Sequence, residues 1–474
     1  MKLIDAFRTG DNLTENGMKT NSTSLNMCVD LFYNIGSIRG VDYDLKLRLF
    51  TKAFNEDPLK AMKILFWLRD IRGGAGERGS FRDIISYLGD NHPIVLNKNI
   101  ELIPEYGRWD DLLSLFGTKS EKHALDLIKK GLEDKNDLCA KWLPRGNTKS
   151  KPKRKQANII RKFLKLTPKE YRKLLVNLSN TVEQKMCSNN FGEIDYSRVP
   201  SKAMSDYMNA FGRRDSVRFS EFLNKVELGK SKINVGAIYP YDIIKNLKLG
   251  DSQGANVQWD SLPNYMLENK ERVLPLVDVS DSMMCSAGGS SSISCLDVAI
   301  SLGLYISERN EGPFKDSFLT FTTRPKLEYL KGSLSERYSQ LSASDWGGST
   351  NIENAYKVIL EKALKFNIKQ NEMPTTLIIL SDMEFDMASS WDLSNQELVD
   401  KLYKDYDYEL PKIVYWNING RNGNSPVSFD ESGTALVSGF SPGMLKSVLS
   451  GEDMTPIKIM NRTIESERYS VVKI

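Results

Sequence analysis

The chain has 474 residues, of which 40% are hydrophobic and 27% are charged, and its formal net charge is +4. This length allows two or three domains with cores of their own, and the composition is that of a globular protein. No run approaches the roughly 18 apolar residues of a membrane span, and the N-terminal sequence lacks the apolar core of a signal peptide, so we expect a cytoplasmic protein with no membrane partner.

Charge and cysteine content narrow the function classes further. Residues 271–474 contain 20 Lys/Arg and 28 Asp/Glu, a balance of −8, so the first 270 residues carry +12. This asymmetry makes the N-terminal part the candidate for binding a polyanion. Five scattered cysteines without a C-x-x-C pair, together with only two histidines, argue against a zinc cluster and against histidine-based catalysis.

Residues 1–230 are predicted to be helical. Apolar residues recur at three- and four-residue spacing in "VDYDLKLRLFTKAFNEDPLKAMKILFWLRDIR" and in "KEYRKLLVNLSNTVEQKMCS". Proline and glycine divide the region into segments of one to two dozen residues, and helix pairs of about forty residues would fit an α-solenoid of HEAT-like repeats.

Within this helical region, "GAGERG" spells the dinucleotide-binding pattern G-x-G-x-x-G. That pattern must follow a strand, whereas here it follows a predicted helix, so we reject the cofactor interpretation. The turn instead carries several arginines. The densest charge follows between Lys141 and Lys173, with 13 Lys/Arg and one acid, Glu170.

The segment "GNTKSKPKRK" is predicted to be a mobile loop, followed by a basic helical face. A merely solvated basic face is the alternative to a phosphate-binding surface. Loop arginines and nearby aromatic residues suit irregular or single-stranded RNA better than B-form DNA, because no helix-turn-helix or finger pattern is present. The candidate RNA-binding residues are Arg69, Arg72, Arg78, Arg82, Arg108, Arg145, Lys149, Lys151, Lys153, Arg154, Lys155, Arg161 and Lys162.

Residues 231–270 are irregular and are predicted to connect two domains, with "LGDSQGAN" as a loop between two more ordered pieces. From residue 271 to 474, short apolar runs alternate with helical stretches. The predicted strands are "RVLPLVDV", "SFLTF", "TTLIILSD", "KIVYWNIN" and "TALVSGF". This alternation predicts an α/β domain with a doubly wound, Rossmann-like sheet covered on both faces.

Oxygen-bearing side chains follow two of these strands and precede a helix. Asp278, Ser280 and Ser282 follow the first strand, Asp382 ends "TTLIILSD", and Thr350 follows a Gly-Gly pair. Ligand sites in such sheets lie at the carboxyl ends of the strands. Few acids combined with hydroxyls match a small hard cation, Mg²⁺ or Mn²⁺. Helix capping is the alternative for each hydroxyl, and Ser294 also resembles a cap.

The order D-x-S-x-S, G-G-x-T and strand-terminal Asp resembles the metal-ion-dependent adhesion site of von Willebrand factor A domains. The resemblance implies that Ser280, Ser282 and Thr350 contact the metal directly or through water. Asp278 and Asp382 would hold it largely through waters, leaving a position for an acidic group of a protein partner. The family usually has Gly where this chain has Asp281.

The motifs "RDIRGGAGER", "YGRWDDLL", "KWLPR" and "IDYSRVPSKAMSDYMNAFGRRDSVRF" resemble a group of TROVE-like proteins of plants, fungi, bacteria and phages. A more distant similarity is to the Ro ribonucleoproteins, whose helical-repeat ring, closed by an A domain, binds noncoding and misfolded RNA. The resemblance implies three segments: a helical TROVE-like region at 1–230, a connection at 231–270 and an A-type domain at 271–474.

Two function classes follow from these patterns. The first is a non-enzymatic, ribonucleoprotein-like protein that binds noncoding or single-stranded RNA through its basic helical half. The alternative is a metal-dependent protein-interaction module, for instance an adaptor for an AAA+ ATPase or a viral assembly component. An enzyme is not expected and no catalytic residue is assigned, because the chain has no Walker motif and no nucleophile–base pair.

Overall fold

The structure is a computed structural model. It describes residues 12–38, 43–179, 181–250, 252–267, 269–287, 293–321, 325–344, 351–386, 395–419, 424–450 and 453–474. The chain divides into two compact units: Met1–Ile64 with Tyr239–Arg468, and Leu65–Ile238 with Tyr469–Ile474. These bounds differ from the three segments that we expected from the sequence, because the first 64 residues group with the C-terminal part of the chain.

The N-terminal segment begins with a short antiparallel hairpin and continues as helices. Its elements are β1 (Asn12–Leu13), β2 (Lys19–Thr20), α1 (Met27–Ile35), α2 (Tyr43–Glu56) and α3 (Pro58–Arg69). The side chain of Asn26 caps α1 by accepting a hydrogen bond from the backbone N–H of Val29. Most of α1 is buried, as its apolar sequence "MCVDLFYNI" requires.

The second unit, built mainly from residues 65–238, is helical in every regular element that the structure describes. Its helices are α4 (Gly79–Asn91), α5 (Pro93–Lys98), α6 (Leu102–Tyr106), α7 (Glu121–Glu133), α8 (Asp137–Trp142), α9 (Lys151–Phe163), α10 (Pro168–Leu178), α11 (Val182–Cys187), α12 (Ser201–Arg214) and α13 (Ser216–Glu227). The predicted helical character of this part of the chain is therefore confirmed for the described residues.

Helix α9 corrects one prediction. The basic segment that we expected to be a mobile loop is helical from Lys151 onward. A proline in its first turn suits a helix start, because the missing N–H would have no partner there. Ala157 and Ile160 are buried and lie three residues apart on one face, and Lys151, Lys155 and Lys162 lie on the opposite, exposed face.

In the predicted connection, the helical structure extends into the segment that we expected to be a loop. The connection contains α14 (Pro240–Lys248) and α15 (Ser252–Asp260). Five of the eight residues of "LGDSQGAN", predicted as a loop, lie in α15, where Ala255, Val257 and Trp259 are buried. Tertiary burial of these residues overrides the poor helix propensity of a segment that contains Gly and Ser.

The sheet has six strands in the order β5-β4-β3-β6-β7-β8. Its strands are β3 (Val273–Asp278), β4 (Ser317–Phe321), β5 (Leu327–Tyr329), β6 (Thr376–Ser381), β7 (Lys412–Asn417) and β8 (Thr434–Ser438). All neighbours are parallel except the β4–β5 pair. Every residue of β3 and β6 is buried, so both faces of the sheet are covered there. The predicted combination of helices with a mostly parallel sheet is confirmed.

The helices of the sheet-containing unit are α16 (Cys295–Arg309), α17 (Leu334–Ser342), α18 (Ile352–Phe366), α19 (Asn395–Lys404), α20 (Leu445–Leu449) and α21 (Pro456–Ile464). Helix α16 crosses β3 closely at Gly303, where a Cβ would lie 2.6 Å from Cγ2 of Val277. The Ser294 hydroxyl accepts a hydrogen bond from the N–H of Asp297 at 3.1 Å, so Ser294 is a helix cap.

Helix α1 packs against the edge strand β8, which explains why the first 64 residues belong to this unit. The Ser438 hydroxyl donates to the carbonyl of Phe32 at 2.8 Å and accepts from the N–H of Gly36 at 3.2 Å. A Cβ at Gly36 would lie 2.6 Å from that hydroxyl oxygen. The N-terminal segment thus covers the β8 end of the sheet.

Candidate functional site

The predicted cation ligands lie at the carboxyl ends of β3 and β6, which are neighbouring parallel strands. Asp278 is the last residue of β3, and Asp382 directly follows β6. The register pairs Val277 with Leu380, so both strands end at the same edge of the sheet. Parallel pairing therefore brings together two carboxylates that are more than one hundred residues apart in the sequence.

Asp278 is fully buried and is held by two hydrogen bonds. One carboxylate oxygen accepts from the backbone N–H of Ser280 at 3.0 Å, and the other accepts from the Ser381 hydroxyl at 2.6 Å. The hydroxyl oxygens of Ser280 and Ser282 lie 3.0 Å apart. The D-x-S-x-S stretch thus gathers a carboxylate and two hydroxyls in one place. A 3-10 helix begins at Asp281, so a turn, and not an extended chain, brings Ser282 to Ser280.

The electrostatics of this cluster favour a bound positive charge. Burial, and secondarily the charge of Asp382, raise the pKa of Asp278 from its ordinary value of 3.8 to about 7. Asp382 itself is 1% exposed. A cation would relieve both the repulsion and the cost of desolvation. Carboxylate and hydroxyl oxygens are the donors that Mg²⁺ or Mn²⁺ prefers, so the donor set fits such an ion.

The structure describes four of the five predicted ligands: Asp278, Ser280, Ser282 and Asp382. Thr350 lies outside the described residues. Within the described ranges, no group of three or more His, Cys, Asp and Glu residues is placed to hold a metal ion. The candidate site therefore consists of two carboxylates supplemented by hydroxyls. It differs from calcium-binding loops, in which several carboxylates surround the ion.

Ser381 is a site residue that the sequence analysis missed. Its hydroxyl donates to Asp278 and accepts from the N–H of Met383 at 3.0 Å, so it orients the buried carboxylate. The sequence does place Ser381 at the end of a strand, directly before Asp382. Its contact with Asp278 depends on the pairing of β6 with β3, which a single sequence does not give.

The N-terminal hairpin forms hydrogen bonds with the residues that follow Asp382. The N–H of Glu15 donates to the carboxylate of Glu384 at 2.6 Å, and the Thr14 hydroxyl donates to the carbonyl of Phe385 at 2.7 Å. Glu384 is 4% exposed. The β6 end of the site is therefore braced by residues from the start of the chain, which no local sequence pattern indicated.

The predicted RNA-binding residues fall into two groups: some are held by contacts within the protein, and the others are exposed at its surface. Arg69 belongs to the first group and lies in the interior. It is 3% exposed, and its Nε lies 2.8 Å from Oδ2 of the fully buried Asp111. Arg82 bonds to the other oxygen of Asp111 at 2.6 Å and also pairs with Asp110. Burial excludes direct phosphate contact by Arg69, and Arg82 is held mainly as a structural partner of these acids.

Arg108 and Arg145 are also committed to local contacts. Arg108 pairs with Asp110 at 2.9 Å, and its guanidinium lies 3.9 Å above the ring of Trp142. Arg145 is half-buried and donates to the Ser179 hydroxyl at 3.0 Å. Burial lowers the pKa of both arginines from the ordinary value. Both remain cationic, but they are less available than side chains on an open surface.

The remaining predicted cations lie at the surface, apart from Arg161, which is half-buried and donates to the carbonyl of Leu166 at 2.9 Å. The exposed ones are Arg72, Arg78, Lys149, Lys151, Lys153, Arg154, Lys155 and Lys162. Most of them lie on or directly before α9, a helix that contains no acidic residue. Among the described residues, no carboxylate forms an ion pair with a cation of α9. The exposed cations of α9 are Lys151, Lys153, Arg154, Lys155 and Lys162, and the surface that they form is hereafter called the α9 basic face.

Comparison with known proteins identifies the family. Residues 14–137 and 135–272 match a family model described as Domain of unknown function (DUF2828), which thus covers more than half of the chain. The chain belongs to this family. Residues 273–471 match a second model, Domain of unknown function (DUF7788), and the junction between the two falls where β3 begins.

A viral protein is similar to this chain over nearly its whole length. "Uncharacterized protein L728" of Acanthamoeba polyphaga mimivirus is 30% identical to this chain over 507 residues, covering 95% of this chain and 87% of the viral protein.

In the described part of the chain, no helix combines the length and apolar character needed to cross a membrane.

Proposed function

We propose that this protein binds single-stranded or structured noncoding RNA, as a TROVE-like ribonucleoprotein would, and that it catalyses no reaction. In this proposal the helical unit is HEAT-like and supplies the RNA-binding surface. The sheet-containing unit is a von Willebrand factor A-like domain with a Mg²⁺ or Mn²⁺ site at Asp278, Ser280, Ser282, Thr350 and Asp382.

The observation that carries the proposal is the α9 basic face. Five cations are exposed on one short helix, no acid lies on that helix, and no described carboxylate neutralises them. Some surface cations of the same unit do have such partners: Lys130 lies 3.0 Å from Glu101, and Lys141 lies 3.1 Å from Glu183. An uncompensated cationic face attracts a polyanion and releases its counterions on binding.

The direct test is salt-dependent binding of a fluorescent single-stranded RNA of about twenty nucleotides to the full chain. Each phosphate contact contributes roughly 0.7 to the slope of log affinity against log salt. We expect the triple variant K151A/K153A/K155A to lose at least tenfold in affinity at about 100 mM salt and to lower the slope by about 2.

A matched control lies on α7 of the same unit. The variant K122A/K129A/K130A removes the same charge, but Lys129 and Lys130 are paired with Glu133 and Glu101. It should bind RNA almost as the wild type does. Equal losses in both triple variants would reduce the effect to net charge, and binding that does not change between about 50 and 500 mM salt would contradict the proposal.

A second candidate function is a metal-dependent protein-interaction module, and the buried pair Asp278 and Asp382 favours it. Two carboxylates brought together at a sheet edge, with one pKa raised to about 7, suit a site that a cation completes. In this alternative an acidic group of a protein partner occupies the remaining coordination position. Partner capture that needs Mg²⁺, fails in EDTA and is lost in Asp278→Ala, with RNA binding intact, would favour this alternative.

A further inference from the structure

Two cysteines face each other at the base of the loop that follows the cation motif. The sulfur atoms of Cys285 and Cys295 lie 3.4 Å apart, and no disulfide joins them. The N–H of Cys295 donates to the carbonyl of Cys285 at 2.9 Å, and the N–H of Ala287 donates to the carbonyl of Ile293 at 2.8 Å. The backbone on both sides of the pair is therefore joined in an antiparallel arrangement.

The surroundings of the two thiols differ in a useful way. Cys285 is partly exposed, whereas Cys295 is buried in the first turn of α16. The side-chain N–H of Asn419 donates to the Cys285 sulfur at 3.1 Å. A donor directed at sulfur stabilises the thiolate, which is the nucleophilic form of cysteine. Cys285 thus meets solvent first, and Cys295 is positioned to react with it afterwards.

The other buried cysteines contrast with this pair. Burial raises the pKa of both Cys28 and Cys139 to about 12, so their thiols stay protonated at neutral pH. Each of them donates to a backbone carbonyl and has no described cysteine beside it. Cys187 is exposed and stands alone among the described cysteines. Among the described cysteines, only Cys285 and Cys295 combine solvent access with a neighbouring thiol.

We propose that Cys285 and Cys295 form an oxidation site in which a peroxide converts the two thiols to a disulfide. The Cys285 thiolate attacks one peroxide oxygen, the O–O bond breaks, and hydroxide leaves, giving a sulfenic acid. Cys295 then attacks that sulfur, the S–O bond breaks, and water leaves with the thiol proton. In sum, two thiols and one hydrogen peroxide give one disulfide and two waters.

The bond requires only a small movement. The sulfurs must approach from 3.4 Å to about 2 Å, a shift of about 1.4 Å that side-chain rotation can provide. Cys285 lies three residues after Ser282, so the disulfide would tie the end of the cation motif to α16. If the proposed cation site holds, we infer that oxidation pre-organises the motif and tightens Mg²⁺ binding by about threefold.

The test uses the full chain carrying Cys187→Ser, which prevents cross-linking between molecules. After treatment with hydrogen peroxide, intact mass should fall by about 2 Da, and digestion without reductant should yield a peptide that links Cys285 to Cys295. The midpoint of thermal unfolding should rise by about 4 °C and return to its original value with dithiothreitol.

Two variants keep the proposal falsifiable. Cys285→Ser and Cys295→Ser should each lose the linked peptide and the thermal shift, whereas Cys139→Ser should retain both. A mass gain from sulfinic acid without a linked peptide, or linkage to another cysteine, would overturn the proposal. Disulfide formation without any change in Mg²⁺ affinity would preserve the oxidation site and reject only its coupling to the proposed cation site.

Discussion

Replacement of Asp278 by Asn is expected to have opposite effects with and without a divalent cation. The change keeps the size and shape of a fully buried side chain while removing one charge. In EDTA it removes the repulsion by Asp382 and the cost of burying a carboxylate. In saturating Mg²⁺ it removes the attraction between the Asp278 carboxylate and the bound cation, which stabilises only the wild type.

The magnitude follows from the pKa of Asp278, which rises from 3.8 to about 7 on folding. At 1.36 kcal/mol per pK unit, the ionised group destabilises the metal-free protein by roughly 4 kcal/mol above pH 7. Because the native state retains the proton longer than the unfolded chain, this destabilisation is absent below about pH 3.8 and develops as pH rises to 7. The amide should lose about 1–2 kcal/mol of this gain, because its NH₂ group replaces one of the two acceptor oxygens that face the N–H of Ser280 and the hydroxyl of Ser381.

Urea unfolding of both proteins at pH 5 and pH 8, with EDTA or with Mg²⁺, measures the effect. In EDTA at pH 8 we expect Asp278→Asn to be the more stable by roughly 2 kcal/mol, with a smaller difference at pH 5. Mg²⁺ at one hundred times its dissociation constant should stabilise the wild type by about 2.7 kcal/mol and the variant hardly at all. A variant that is less stable than the wild type in EDTA at pH 8, or that keeps the full Mg²⁺ effect, would refute this reasoning.

Three further predictions concern single residues. Arg69→Ala should lower the free energy of unfolding by about 2–3 kcal/mol, measured by urea, because the buried Asp111 loses one of its two arginine partners and keeps only Arg82. Lys412→Met should lower stability by about 1 kcal/mol at pH 7, an effect lost as pH falls through the depressed pKa of Glu271, its partner at 2.7 Å; an unchanged difference at pH 3 would contradict the pairing. Ser280→Ala should leave unfolding in EDTA within about 1 kcal/mol of the wild type but remove at least half of the Mg²⁺ shift, seen by thermal unfolding.

The sheet was predictable because each of its central strands is a short apolar run that ends in polar residues. The register of β3 and β6 then brings Asp278 and Asp382 to one edge, as the general rule for parallel sheets indicates. Helix α16 was equally visible from its continuous apolar sequence and its Ser294 cap. These features depend on local patterning, which a single sequence displays directly.

The errors arose where long-range partners decide the outcome. Arg69 lies in an arginine-rich stretch, but Asp111, 42 residues later, draws it into the interior. The lysine-rich segment before Ala157 has the composition of a loop, yet two buried residues on one face hold it as a helix. The packing of α1 against β8 joins the two ends of the chain, and no periodicity within α1 identifies which strand it covers.

Ultraviolet crosslinking of the native full chain, followed by sequencing of the bound nucleic acid and mapping of the crosslinked peptides, tests the proposed function most directly. The proposal predicts co-purifying RNA and crosslinks within Lys151–Phe163. Absence of RNA from the purified protein, or crosslinks confined to peptides outside this helix and its flanking residues, would contradict it.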